Sequence, residues 1–149
     1  MPDDSAAAEV LNESACWALL RSAEVGRLAV LVDGAPDIFP INYVVDHGSV
    51  VFRTAAGTKV DAAAQGGPVA FEVDGTDERS NAWSVVLRGT AAEGRGLSAA
   101  WEDAALPLFP WHGEAKPRFL RIAPTAVSGR RFPITDPSRW TSAFMHPRD

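Results

Sequence analysis

The sequence predicts a mainly β fold, a small six-stranded antiparallel barrel with short flanking helices. Beyond Gly26 the chain breaks into short runs rich in valine, isoleucine and aromatic residues, which suit a pleated, half-buried surface. Turn signals such as Asp33-Gly34 and His47-Gly48 separate those runs, because glycine tolerates the positive φ of a tight hairpin. The count closes at six, enough for a small sheet to curl up and hide its edges.

Asn12 is a good N-cap, with Leu11 before it and Cys16 placed for a hydrophobic staple. A helix over Glu13–Ala23 follows. Its apolar face combines Leu11, Ala15, Ala18 and Ser22 with Cys16, Leu19, Leu20 and Ala23, leaving Glu13 and Arg21 outside. Strands are expected at Leu28–Val32, Ile38–Val45 and Val50–Thr54, forming a meander, then at Val69–Asp74, Trp83–Gly89 and Phe119–Val127. The alanine-rich Gly57–Gln65, stopped by Gly66-Gly67, predicts a two-turn helix, and Ser98–Leu106 another. Residues 1–10 read as a flexible N-terminus, 11–132 as one domain and 133–149 as a C-terminal tail whose prolines keep it irregular.

With 149 residues, 46% hydrophobic and 22% charged, the chain has the size and balance of one globular domain. A net charge of −5 argues against a nucleic-acid partner, whose binding rests on lysine and arginine neutralising phosphates. One small phosphate is not excluded, since a local donor cluster outweighs a weak global field. The single cysteine, Cys16, rules out an intrachain disulfide and a multi-cysteine zinc site. It reads as packing and fits a reducing compartment. The first residues lack a basic n-region and no apolar run approaches a membrane span, so a cytoplasmic protein without membrane association is expected.

The most informative segment runs from Val50 through Arg53 and Thr54 to Gly57-Thr58-Lys59. A strand passing through small residues into a helix start leaves backbone N–H groups free. Together with the Thr58 hydroxyl and the Lys59 charge they make an anion site, or else ordinary capping beside a solvated lysine. The spacing is not that of a nucleoside-triphosphate loop. In Pro40-Ile41-Asn42-Tyr43, Asn42 faces away from Ile41 and Tyr43, towards a polar pocket or a barrel corner. Pro40 marks an edge or a bulge. Trp83, Val85 and Leu87 alternate with Ser84, Val86 and Arg88, so that one face packs and the other is free to bind. Trp83 itself suits either a flat aromatic ligand or an interface. Glu72 and Asp74 share a face and read as a solvated edge. His47, His112 and His146 lack metal-ligand spacing, and no nucleophile elbow is present.

From Leu11 to about Gly94 the chain resembles the pyridoxamine 5'-phosphate oxidase-like FMN-binding split-barrel family, particularly its small actinobacterial-type members. The resemblance rests on six blocks in order: Val25-Gly26-Arg27-Leu28-Ala29, Pro40-Ile41-Asn42-Tyr43-Val44-Val45-Asp46, Val51-Phe52-Arg53-Thr54, Gly57-Thr58-Lys59, Ala70-Phe71-Glu72-Val73-Asp74 and Trp83-Ser84-Val85. It implies a homodimeric split barrel with two FMN sites at the subunit interface. Carried over by position, it implies that Pro40, Ile41, Asn42 and Tyr43 approach the isoalloxazine ring and Phe52, Arg53 and Thr54 line it. Thr58 and Lys59, with Gly57, would hold the phosphate, and Trp83 and Ser84 would come from the partner chain. Ala82 and Ala56 depart from the glycine and proline frequent at those places. The longer C-terminal substrate segment of true pyridoxamine phosphate oxidases is not recognisable, so vitamin B6 oxidation is not expected.

The function these features imply is an FMN-dependent oxidoreductase that passes electrons from a nicotinamide or similar donor to a small planar acceptor. In such proteins the flavin carries the chemistry and no dedicated acid–base residue is needed. Alternatives are a reductase using a deazaflavin coenzyme, a non-catalytic flavin carrier or sensor, and a ligand-free interaction module. The compact Gly57-Thr58-Lys59 cluster suits a single terminal phosphate better than the long acidic tail of a deazaflavin.

Overall fold

A computed structural model describes residues 8–55, 62, 64, 66–93 and 117–134. A three-residue strand β1 (Glu9–Leu11) leads into helix α1 (Glu13–Arg21), followed by β2 (Val25–Val32), β3 (Ala35–Asp46), β4 (Ser49–Ala55), β5 (Pro68–Thr76), β6 (Asn81–Glu93) and β7 (Pro117–Pro133).

The fold is the expected barrel. β2, β3 and β4 form an antiparallel meander, β2 also pairs with β5, β5 with β6, β6 with β7 and β7 with β4, which closes a ring of six. Both predicted hairpin turns are present: Asp33 and Gly34 have φ of 52° and 79°, His47 and Gly48 46° and 71°. Two successive positive φ values match the right-handed twist of the flanking strands.

The ring closes through β7. Its first part pairs with β4 from Pro117 to Ile122 and its later part with β1 from Gly129 to Arg131, while β6 runs along its other edge. β7 is therefore longer than the expected Phe119–Val127, and β6 extends to Glu93. β1 was not foreseen; its three residues become a strand only because β7 offers them an edge.

Helix α1 begins as predicted, with the Ala15 N–H donating to Asn12 Oδ1 at 2.8 Å, and stops at Arg21 where Ser22 caps it. Its buried face is turned relative to the expectation. Cys16, Trp17 and Leu20 are buried while Ala18 is exposed, because the helix packs across β7, β3 and β6 and the large indole takes the inward position. Leu11 joins Cys16 in the core, as a staple requires.

Inside the ring, Leu28, Phe52, Phe71, Leu87, Leu120 and Ile122 are fully buried. Tyr43 meets Phe71 edge-on, with ring centroids 4.9 Å apart, and its hydroxyl donates to the Leu20 carbonyl. Desolvation pushes the phenol pKa well above its ordinary value, so Tyr43 is a neutral strut between helix and barrel. Of the helix expected at Gly57–Gln65, Ala62 and Ala64 are helical and the rest lies outside the described residues. So do the Ser98–Leu106 helix and nearly all of the 133–149 tail. Among the described residues no helix is long and apolar enough to cross a membrane.

Candidate cofactor site

Strand alternation sorts the predicted site residues by the face they occupy. Ile41, Tyr43, Phe52 and Trp83 point into the core, with exposures of 6%, 3%, 0% and 6%. Thr54 is buried on the same side. The Trp83 indole packs on Gly75, where an added Cβ would lie 2.8 Å from it.

Pro40, Asn42, Arg53 and Ser84 are the side chains left for the outer surface. The strand registers align most of them. Pro40 pairs with Arg27 and Asn42 with Val25 on β2, while Asp74 pairs with Ser84 and Ser84 with Arg130 across β5, β6 and β7. Pairing of β3 with β4 runs from Tyr43 to Asp46, so Pro40 lies beyond that paired stretch on the β4 side. That is the edge position a proline permits. Arg53 sits on β4 opposite Phe119, its guanidinium 6.0 Å from the ring centroid, at the outer limit of a cation–π contact.

Between the two ends of this face lies a charged cluster that the sequence reading did not assemble. One guanidinium nitrogen of Arg27 reaches Glu72 Oε2 at 2.9 Å and Asp74 Oδ2 at 3.0 Å. Glu72 and Asp74 share a face as expected, and Arg27 bridges them across the β2–β5 ladder. Burial and the adjacent Asp74 push the Glu72 pKa up against the pull of Arg27. The cluster leaves one net negative charge beside Asn42 and Ser84.

A second network closes the β3–β4 hairpin from β7. Arg121 donates to Asp46 Oδ2 at 2.7 Å, to the Asp46 carbonyl at 3.2 Å and to Ser49 Oγ. His47 Nδ1 lies 2.7 Å from the other carboxylate oxygen of Asp46. Partial burial of Asp46 acts to raise its pKa, but the hydrogen bonds from Arg121 and His47 outweigh it and hold the carboxyl below its ordinary value. Gly57, Thr58 and Lys59 lie outside the described residues. Among the described residues no group of three or more histidine, cysteine, aspartate or glutamate side chains could hold a metal ion.

The order of these elements and the motifs on them match a family model, pyridoxamine 5'-phosphate oxidase, over residues 12–131. The chain belongs to the pyridoxamine 5'-phosphate oxidase family. It is 33% identical over 127 residues to an uncharacterised protein of Mycobacterium tuberculosis, covering 81% of this chain and 83% of that one. It is similar to an FAD-binding protein from Mycobacterium smegmatis, with 38% identity, a TM-score of 0.67 and coverage of 85% of this chain and 99% of the other. A protein of unknown function from Corynebacterium diphtheriae shares 39% identity at a TM-score of 0.66, with 84% and 98% covered. The family assignment agrees with the resemblance read from the six sequence blocks.

Proposed function

We propose that the chain binds FMN on the outer face carrying Pro40, Asn42 and Ser84, as a homodimer, and transfers electrons from a nicotinamide donor to a small planar acceptor. The observation that carries this reading is that Asn42, beside Val25 on β2, and Ser84, beside Asp74 on β5, flank the Arg27–Glu72–Asp74 cluster on the outer face, in a chain of the pyridoxamine 5'-phosphate oxidase family.

The donor set fits a flavin ring. The Asn42 amide, the Arg53 guanidinium and the Ser84 hydroxyl offer hydrogen bonds to ring carbonyls and nitrogens. Gly57, Thr58 and Lys59 would hold the terminal phosphate. When bound, the flavin supplies the reversible redox chemistry, and the protein contributes orientation and electrostatics.

A second copy completes the site. In one chain Asn42 on β3 and Ser84 on β6 are three strands apart, roughly 14 Å at the usual inter-strand spacing. A two-fold partner brings its Ser84 segment over the Asn42 segment of the first chain. Val25 (45% exposed) beside Asn42, and Val10 (78%) and Phe132 (43%) at the Ser84 end, supply apolar surface for that contact. Such surface is what the core of a homodimer interface is made of.

FAD is the second reading, favoured by the similar FAD-binding protein; it differs in needing room beyond the first phosphate. Titration of the protein with FMN, FAD and a deazaflavin coenzyme, followed by visible absorption, separates them. FMN is expected to saturate at one per chain. Lys59→Ala should weaken it by about 1.5–3 kcal/mol, the scale of a hydrogen bond to a charged group. Tighter binding of FAD than of FMN would favour the second reading, binding of the deazaflavin alone would move the protein to the rival reductases, and unchanged affinity in Lys59→Ala would remove the phosphate assignment.

A further inference from the structure

The outer face carries a concave feature away from the proposed flavin site. At the far end of β2, about 20 Å along the strand from Val25, a groove of about 450 Å³ opens between the β2–β3 hairpin and β5–β6. That volume lies in the range of small-molecule pockets. Ala29 and Ala70, paired across the β2–β5 ladder, form a floor of small side chains. Leu31, Pro36 and Pro68 wall it with apolar surface.

Arg88 lines this groove directly beside Ala70, its partner in the β5–β6 register. Among the described residues no carboxylate pairs with it, whereas Arg27, Arg121 and Arg131 each reach one. The backbone here is specialised as well. The β6–β7 ladder shifts register between Arg88 and Gly89; such bulges re-aim side chains and recur beside binding sites. Gly89 is obligatory at that bulge, because a Cβ would come within 2.1 Å of the Ala123 carbonyl oxygen. Thr125 Oγ1 then donates to the Arg88 carbonyl at 3.1 Å, which fixes the strand from β7.

We propose that this groove binds a small apolar molecule ending in a carboxylate, its chain or ring on the Ala29–Ala70 floor and its anion on Arg88. Charge complementarity selects this occupant. An alanine floor walled by leucine and proline takes hydrocarbon, and a planar guanidinium without an acidic partner takes a carboxylate in a two-point contact. The site is independent of the flavin reading.

Isothermal titration calorimetry of the full chain with octanoate and, separately, octanol tests the assignment, with amide chemical shifts to locate the site. Octanoate is expected to bind saturably at one per chain, with shifts centred on Leu31, Ala70 and Thr90, and more tightly than octanol. Arg88→Gln, an exposed position, should weaken octanoate about tenfold or more and leave octanol unchanged. Leu31→Glu, which removes apolar wall and places a like charge there, should weaken both ligands and octanoate the more. Arg79→Gln, in the β5–β6 turn, should have no effect. Equal binding of octanoate and octanol, retained octanoate affinity in Arg88→Gln, shifts centred elsewhere, or no saturable octanoate binding would each overturn the proposal.

Discussion

At Gly26 an added Cβ would lie 2.3 Å from Cζ of Phe71 and 3.0 Å from the Glu72 carbonyl oxygen. Phe71 is fully buried against Tyr43. Gly26→Ala should therefore destabilise the protein by about 1–3 kcal/mol, the cost of overpacking a filled core. A urea denaturation curve reads it, and an unchanged midpoint would mean that the ring moves aside. Asp46 makes the second residue-scale prediction. Its folded pKa lies below the unfolded value, so its ion pair with Arg121 adds stability above pH about 4 and loses it as pH falls through the lower, folded pKa. Asp46→Asn should flatten the fall of the melting temperature on acidification through that window. An equally steep fall would assign the acid sensitivity to other carboxylates. The Asp46–Arg121 and Arg27–Glu72–Asp74 contacts join positions far apart in sequence, and no local pattern announced them. Glu72 and Asp74 were legible as sharing a face, because alternation is local; the arginine between them was not.

At the scale of elements, what was legible was what local chemistry dictates. Asn12 started a helix because its side chain meets an otherwise unsatisfied N–H, and Asn12→Ala should cost about 1 kcal/mol in the same denaturation experiment. No loss would mean that the fold holds α1 without its cap. Asp33-Gly34 and His47-Gly48 set the β2–β3–β4 meander through their positive φ values. β1 escaped notice because Glu9-Val10-Leu11 is too short to carry a period and depends on β7 for its pairing. β7 was underestimated because Pro117 and Pro133 read as bounding signals. In the barrel they lie in a long strand that serves three neighbours in turn, and pairing overrides the local preference. Alternation also assigned Asn42 to the face opposite Ile41 and Tyr43, which is where β3 puts it. For Trp83 composition left two uses open, and the Gly75 contact places its side chain in the core of its own chain.

At the scale of the molecule, one ring of strands separates two surfaces. Its interior holds the aromatic and aliphatic side chains of the motifs, and its exterior holds the polar ones that the flavin reading uses. Sequence blocks point to the family, and the registers sort the faces; neither alone sets Asn42 and Ser84 on either side of the Arg27 cluster. The central claim, that two copies of this face share a flavin, makes cofactor binding and association a single property of the protein. Sedimentation equilibrium of the FMN-saturated chain, monitored at the visible flavin band, tests that claim most directly. The flavin should sediment with a species of twice the chain mass, at two flavins per dimer. Flavin absorbance following a single chain, or remaining unbound while the protein sediments, would contradict it.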